Sequence, residues 1–127
     1  MSPNNMSKVS KLTQQTFTSN DVVEHLRSIC ESNAYTLPCF LDSWHGFDSA
    51  SLEKLDKLGN ELQTKYGWRY VGAWELDNEP GVYHARVAKE GTYSESEILL
   101  EIPFMLKLAN KFKIERYVDC APQPTLP

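Results

Sequence analysis

The chain has 127 residues, which is one domain's worth and too few for two; a chain of this size buries roughly two thirds of the surface its unfolded form exposes. Its 41% hydrophobic residues can fill such a core without a metal or disulfide staple. Thirteen Lys and Arg against seventeen Asp and Glu leave a net charge of -4, which argues against a general polyanion binder held by backbone phosphates.

Residues 1–18 are polar, with Lys8 and Lys11 among Asn, Ser, Gln and Thr, and they read as a flexible N-terminal arm. A first helix is expected over 20–32, capped by Ser19 or Asn20, with Val22, Val23, Leu26, Ile29 and Cys30 on one face. The next stretch changes period. Tyr35, Leu37, Cys39 and Leu41 alternate with Thr36, Pro38, Phe40 and Asp42, which predicts a strand with a late start or a bulge at Pro38.

Helical spacing returns from Asp48, with Leu52, Leu55, Leu58, Leu62 and Tyr66 on one stripe and Gly67 as the stop. Gly59, inside that stripe, costs a helix about 1 kcal/mol against Ala, and close packing on a strand explains its presence. Strands are expected over 69–76 and 82–89, joined as a hairpin by Asp77-Asn78-Glu79-Pro80-Gly81. Ser94-Glu95-Ser96-Glu97 forms a capping box that opens a helix over 95–112, kinked at Pro103. A short strand over 114–120 follows, and Pro122, Pro124 and Pro127 predict an extended tail over 122–127.

This order predicts an α+β fold in a single domain over 19–121. Right-handed crossovers through the two long helices give a ferredoxin-like α/β sandwich. The expected sheet has four antiparallel strands in order 4-1-3-2, two helices on one face and an extra N-terminal helix. That fold serves many functions and names none by itself.

No stretch approaches the roughly 20 apolar residues that span a bilayer, and the first residues lack a basic segment followed by an apolar run, so a cytoplasmic chain without membrane contact is expected. Cys30, Cys39 and Cys120 are odd in number and widely spaced, as reduced thiols are. His25, His45 and His84 lack metal-ligand spacing, and the scattered glycines form no phosphate-cradling loop, so neither a metal nor another cofactor is expected.

Two regions carry candidate chemistry. Asp42-Ser43-Trp44-His45-Gly46 is placed where a strand empties into a loop. It offers a nucleophile, a base and an orienting carboxylate by type, but these are close in sequence, and a Trp-rich loop packed over the sheet edge is the plainer reading. On the sheet, if Val71, Ala73, Tyr83, Ala85 and Val87 face the helices, alternation turns Tyr70, Trp74, His84 and Arg86 outward, with Phe40 beside them. Such aromatics with an Arg resemble an RNA-stacking platform, yet the acidic balance favours contact with protein, a second copy of this chain included. The expected binding surface is therefore Phe40, Trp44, His45, Tyr70, Trp74, His84 and Arg86.

Several short motifs carry a likeness across about two thirds of the chain. They are Tyr35-Thr36-Leu37, the helix beginning Leu52-Glu53-Lys54 and closing at Lys65-Tyr66-Gly67-Trp68, and Leu108-Ala109-Asn110-Lys111-Phe112 followed by Tyr117-Val118-Asp119-Cys120. In these the chain resembles the ribonuclease E inhibitor family, also called regulator of ribonuclease activity B. Family members tend to have Gly after that Asp, and the best-known have an acidic tail where this chain has 122–127. The resemblance implies a non-catalytic regulator that binds an RNA-degrading enzyme, with direct nucleic-acid binding not expected. The alternatives are a small enzyme or ligand-binding domain using the 42–47 loop, and an RNA-binding module using the open sheet face.

Overall fold

A computed structural model of the chain describes residues 12–125. Its elements run β1 (Gln14–Gln15), α1 (Ser19–Asn33), β2 (Cys39–Ser49), α2 (Leu52–Tyr66), β3 (Arg69–Glu75), β4 (Tyr83–Tyr93), α3 (Glu95–Lys111) and β5 (Arg116–Pro124). The fold is α+β, with one five-stranded sheet in order β1-β5-β2-β4-β3. β2 pairs antiparallel with both β4 and β5, and β3 with β4, while β1 joins β5 in parallel.

The sheet is thus five-stranded and mixed, where four antiparallel strands were expected. The added strand comes from the stretch read as a loose arm, of which residues 1–11 lie outside the described ones. Thr13 anchors it: its N–H donates to Asn110 Oδ1 at 2.7 Å and its hydroxyl to the Ile114 carbonyl at 2.6 Å. Gln14 and Thr16 then donate backbone hydrogens to the carbonyls of Glu115 and Tyr117. Polar side chains hide such a strand from a hydrophobic pattern, because hydrogen bonds hold it in place.

The first helix is one of three that share a single core, rather than an addition to a two-helix layer. Val22 and Leu26 of α1 pack in one cluster with Leu55, Leu58 and Leu62 of α2, Ile98 and Met105 of α3, and Leu41, Phe47, Val87 and Tyr117 of the sheet. Phe112, at the end of α3, is only partly buried and packs against that core. Thr18 caps α1, not Ser19 or Asn20. A capping box needs a carboxylate three residues on, and only Thr18 has one: Asp21 N–H donates to Thr18 Oγ1 at 3.1 Å and Thr18 N–H to Asp21 Oδ2 at 2.8 Å.

β2 is the largest departure from the sequence reading. It begins at Cys39 and continues through 42–47, the segment expected as a loop, to Ser49, so that α2 starts at Leu52 under a Ser51 cap and not at Asp48. At the other end of the chain, β5 carries the expected tail in the sheet as far as Pro124.

Candidate functional site

Strand alternation divides β2 into two sets of side chains. Leu41, Ser43, His45, Phe47 and Ser49 are buried under the helices, while Phe40, Asp42, Trp44, Gly46 and Asp48 look the other way. His45 therefore does not belong to an exposed loop surface, because it lies at the centre of the helix–sheet interface.

A polar cluster satisfies it there. His45 Nε2 lies 3.0 Å from Glu101 Oε1 and 3.2 Å from Ser43 Oγ, and the Ser43 hydroxyl donates to the same carboxylate oxygen at 2.6 Å. The Tyr117 hydroxyl sits 2.6 Å from His45 Nδ1. A singly protonated imidazole closes this set, with Nε2–H donating to Glu101 and Nδ1 accepting from Tyr117. Burial drives the Tyr117 hydroxyl well above its ordinary range and the Cys120 thiol beside it up to about 12. Ser43 is wholly buried, so its hydroxyl links α3 to β2 and presents no nucleophile at a surface.

The open face of the sheet carries a row in which Trp74 is exposed, Trp44 and Arg86 are half-buried, and His84 and Asp48 are buried. Trp74 on β3 is opposite His84 on β4, their rings 5.3 Å apart. His84 Nδ1 lies 2.6 Å from Asp48 Oδ1, and Arg86 donates from Nε to His84 Nε2 at 3.0 Å. The Arg86 guanidinium reaches on to Asp119 at 3.4 Å and stands 6.0 Å from the centre of the Trp44 ring. Arg69 approaches the same ring to 5.7 Å and bonds Asp42 Oδ2 at 3.0 Å, the oxygen that also accepts from Trp44 Nε1 at 3.0 Å. A shallow cleft of about 780 Å³ opens over Asp42, Trp44, Arg69 and Arg86 and runs to the Gln123–Pro124 end of β5. Within it, Asp42 Oδ1 is buried with no hydrogen-bond partner among the described residues.

Gly46 makes this arrangement possible. A side-chain carbon there would come within 2.8 Å of His84 Cε1 and 3.0 Å of Asp119 Cβ, so the missing group is what lets the imidazole lie across the central strand. The register also shifts at this point: Gly46 faces Asp119 but Phe47 faces Tyr117, which leaves Val118 as a bulge.

Of the seven residues expected on the binding surface, Trp44, Trp74, His84 and Arg86 form this connected row, and His45 and Tyr70 do not belong to it. Tyr70 faces the helices. A second register shift between Tyr70 and Gly72 inserts Val71, which is 42% exposed where it was expected inside, and so reverses the alternation before it. The Tyr70 ring instead fills the space over Gly59, and its hydroxyl donates to Asp56 Oδ1 at 2.5 Å. Phe40 is on the open face and 52% exposed, but it is paired with Thr92, eight residues along β2 from the Asp48–His84 pair. That places it about 26 Å along β2 from Asp48, and Trp74 lies two strands further across the sheet, out of reach.

Sequence reasoning missed Arg69, Asp48 and Asp119, and it named Asp42 only as an orienting carboxylate of a loop, not as part of this face. The even spacing of Asp42, Trp44 and Asp48 signals one face, but only once 39–49 is recognised as a strand. Among the described residues, no group of three or more His, Cys, Asp or Glu is placed to hold a metal ion, and no helix is long and apolar enough to cross a membrane. No protein-family model matches the chain, and no curated protein matches it, so the likeness to ribonuclease E inhibitors stands on the motifs quoted above.

Proposed function

We propose that the protein acts by binding and not by turnover, as a regulator that uses the open sheet face to contact a protein, and that its partner is an RNA-degrading enzyme of the ribonuclease E kind. The observation that carries this reading is the row Trp74, His84, Arg86 and Trp44. The fold leaves Trp74 45% exposed, although burying an indole is among the most favourable things a core can do. Trp and Arg on one exposed face are the residue types that dominate interface energies. The rim is of mixed charge, with three arginines among Asp42, Asp48, Asp119 and Glu90, which suits a directed protein contact better than a run of phosphates. The net charge of -4 would steer the chain toward a basic RNA-binding region.

The test is a titration of purified ribonuclease E with wild-type and Trp74→Ala protein, reading both complex formation and cleavage of an RNA substrate. Wild-type protein is expected to bind and slow cleavage. Trp74→Ala should weaken binding by about 2 kcal/mol or more while the fold survives. A parallel titration with single-stranded RNA at two salt concentrations is expected to show no appreciable binding. Tight RNA binding that falls steeply with salt and is lost in Trp74→Ala would instead make the face a base-stacking platform.

A further inference from the structure

His84 is the histidine of the open face, and both of its ring nitrogens are engaged. Nδ1 donates to Asp48 Oδ1 at 2.6 Å, and Nε2 accepts the Arg86 Nε hydrogen at 3.0 Å. Arginine has no acceptor to offer, so the neutral ring fits this place in one form, with its proton on Nδ1. Lowering the pH adds a second proton to an imidazole, and Nε2 is the position left to take it. The new ring N–H then points at the Nε–H of Arg86, donor against donor. A second acceptor lies close by. Asp119 holds the far end of Arg86 at 3.4 Å, longer than an ordinary hydrogen bond of this kind. Its Cβ and His84 Nε2 both border the space over Gly46, at 3.0 and 3.2 Å from where a side-chain carbon would sit, so the carboxylate of Asp119 can span what separates it from Nε2. The charged groups facing His84 are Asp48 from β2, Arg86 from its own strand and Asp119 from β5. Arg116 of β5 joins Asp48 at 3.3 Å and Glu79 of the β3–β4 turn at 3.0 Å, while Trp74 of β3 is uncharged. Carboxylates therefore outnumber guanidiniums three to two around the ring, a setting that can hold an imidazolium.

We propose that His84 is a pH switch for the open face, through an exchange of partners with Arg86 and Asp119. Without the second proton, His84 Nε2 holds Arg86, and the guanidinium stands 6.0 Å from the centre of the Trp44 ring. When Nε2 takes a proton from solvent, the Arg86 hydrogen bond is lost, the new N–H donates to Asp119, and Arg86 gives up both of its partners. Nδ1 keeps its proton on Asp48 throughout, so Trp74 stays beside the imidazole while the row opens between His84 and Arg86. The row is thus assembled at neutral pH and parted in acid. Its effect on partner binding rests on the reading of this face as the contact surface, whereas the exchange itself does not.

The experiment follows the isotope-labelled, full-length protein by NMR from about pH 8 to about pH 5.5, the span in which histidines change charge. At the upper end His84 Nε2 should show as a bare ring nitrogen, coupled across the hydrogen bond to the Arg86 Nε–H. At the lower end it should show as a protonated one with that coupling lost, and the two changes should share one midpoint. In Asp119→Asn the midpoint should move to lower pH, because the carboxylate that receives the new N–H is gone. In Arg86→Met it should move to higher pH, because the opposing donor is gone. Affinity for purified ribonuclease E should weaken about tenfold across the same span for the wild type, as when an arginine anchor is withdrawn, and much less for His84→Gln, whose side chain does not titrate. The dispersion of each variant's amide spectrum shows whether it folds, and if His84→Gln does not, the shifts in Asp119→Asn and Arg86→Met still decide. A His84 that takes no proton over this span, an Arg86 Nε–H that stays coupled while His84 titrates, or midpoints in both variants equal to the wild type's would each overturn the proposal. Failure to bind ribonuclease E at every pH would remove that partner, and the resonances alone would then decide the switch.

Discussion

Arg86 donates its Nε hydrogen to Nε2 of His84, two residues back on the same strand, across 3.0 Å. A guanidinium can only donate, so His84 must accept at Nε2 and keep its ring proton on Nδ1, which meets Asp48 Oδ1 at 2.6 Å. One hydrogen bond thus orients the imidazole beside Trp74 and connects both to the arginine over Trp44.

Replacing Arg86 by Met tests that connection, since the unbranched stem keeps its packing on Trp44 and only the donors go. Stability should fall by about 1 kcal/mol in urea titrations, as for a half-exposed hydrogen bond. Binding to the partner should weaken at least as much as for a rim-to-core Arg, about tenfold or more. An Arg86→Met protein with wild-type affinity would remove Arg86 from the contact surface.

Gly59 sets two principles against each other. Helix propensity says that Gly59→Ala should stabilise α2 by about 1 kcal/mol. The structure puts the new carbon 2.7 Å from the Tyr70 ring, and that overlap should cost about 1 to 3 kcal/mol. We expect net destabilisation, and near-neutrality in Gly59→Ala/Tyr70→Leu, where the ring is gone. Equilibrium unfolding of the two variants measures the difference directly.

His45 and Glu101 should be strongly coupled. Glu101→Leu leaves Nε2 of a fully buried imidazole without its acceptor and should cost about 2 to 3 kcal/mol, while His45→Leu should cost a similar amount by stranding the carboxylate and the Tyr117 hydroxyl. The double variant should be more stable than the sum of the two losses implies, because the imidazole and the carboxylate that each single variant strands are both gone. Simple additivity in a double-mutant cycle would mean the cluster does not act as a unit.

Acid sensitivity should trace in part to Glu115. Burial pushes its carboxyl up, but hydrogen bonds from Ser49 Oγ at 2.6 Å and the Ala50 N–H at 3.1 Å outweigh that and hold it below the ordinary 4.5. A carboxyl lowered in the folded state contributes stability that is fully present above pH 4.5 and lost as pH falls through the lower, folded value. Glu115→Gln should therefore lower the urea midpoint at neutral pH and flatten its decline below about pH 4.5. An unchanged acid limb in Glu115→Gln would place the sensitivity with Glu61 and Glu97, whose carboxyls are also lowered.

The long amphipathic α2 and the capped α3 were legible from spacing and from Ser94–Glu97, because those signals are local. Two kinds of feature were not. β2 was cut short at its polar half, since Ser43 and His45 look like loop residues until Glu101 and Tyr117, far away in sequence, supply their partners. The facing of Tyr70 was reversed because one inserted residue, Val71, shifts the register, and a bulge leaves no mark on a pattern of alternation. The open face suffered from both faults, so Trp74, His84 and Arg86 could be found beyond the bulge while Asp48 and Asp119 could not, and Asp42 was read as a loop residue.

The pairing of β1 with β5 and of β5 with β2 sets an order of events for the growing chain. The helices, the β3–β4 hairpin and its pairing with β2 can form while synthesis continues, but one edge of the central strand stays bare until Arg116–Pro124 has left the ribosome. Thr13 and Gln14, made before every other strand, find their hydrogen-bond partners only once Asn110, Ile114 and Glu115 have followed. Interrupted synthesis would leave β2 with a free row of backbone donors and acceptors, which is a template for pairing with another chain, so completion of the last strand separates a closed sheet from a sticky one.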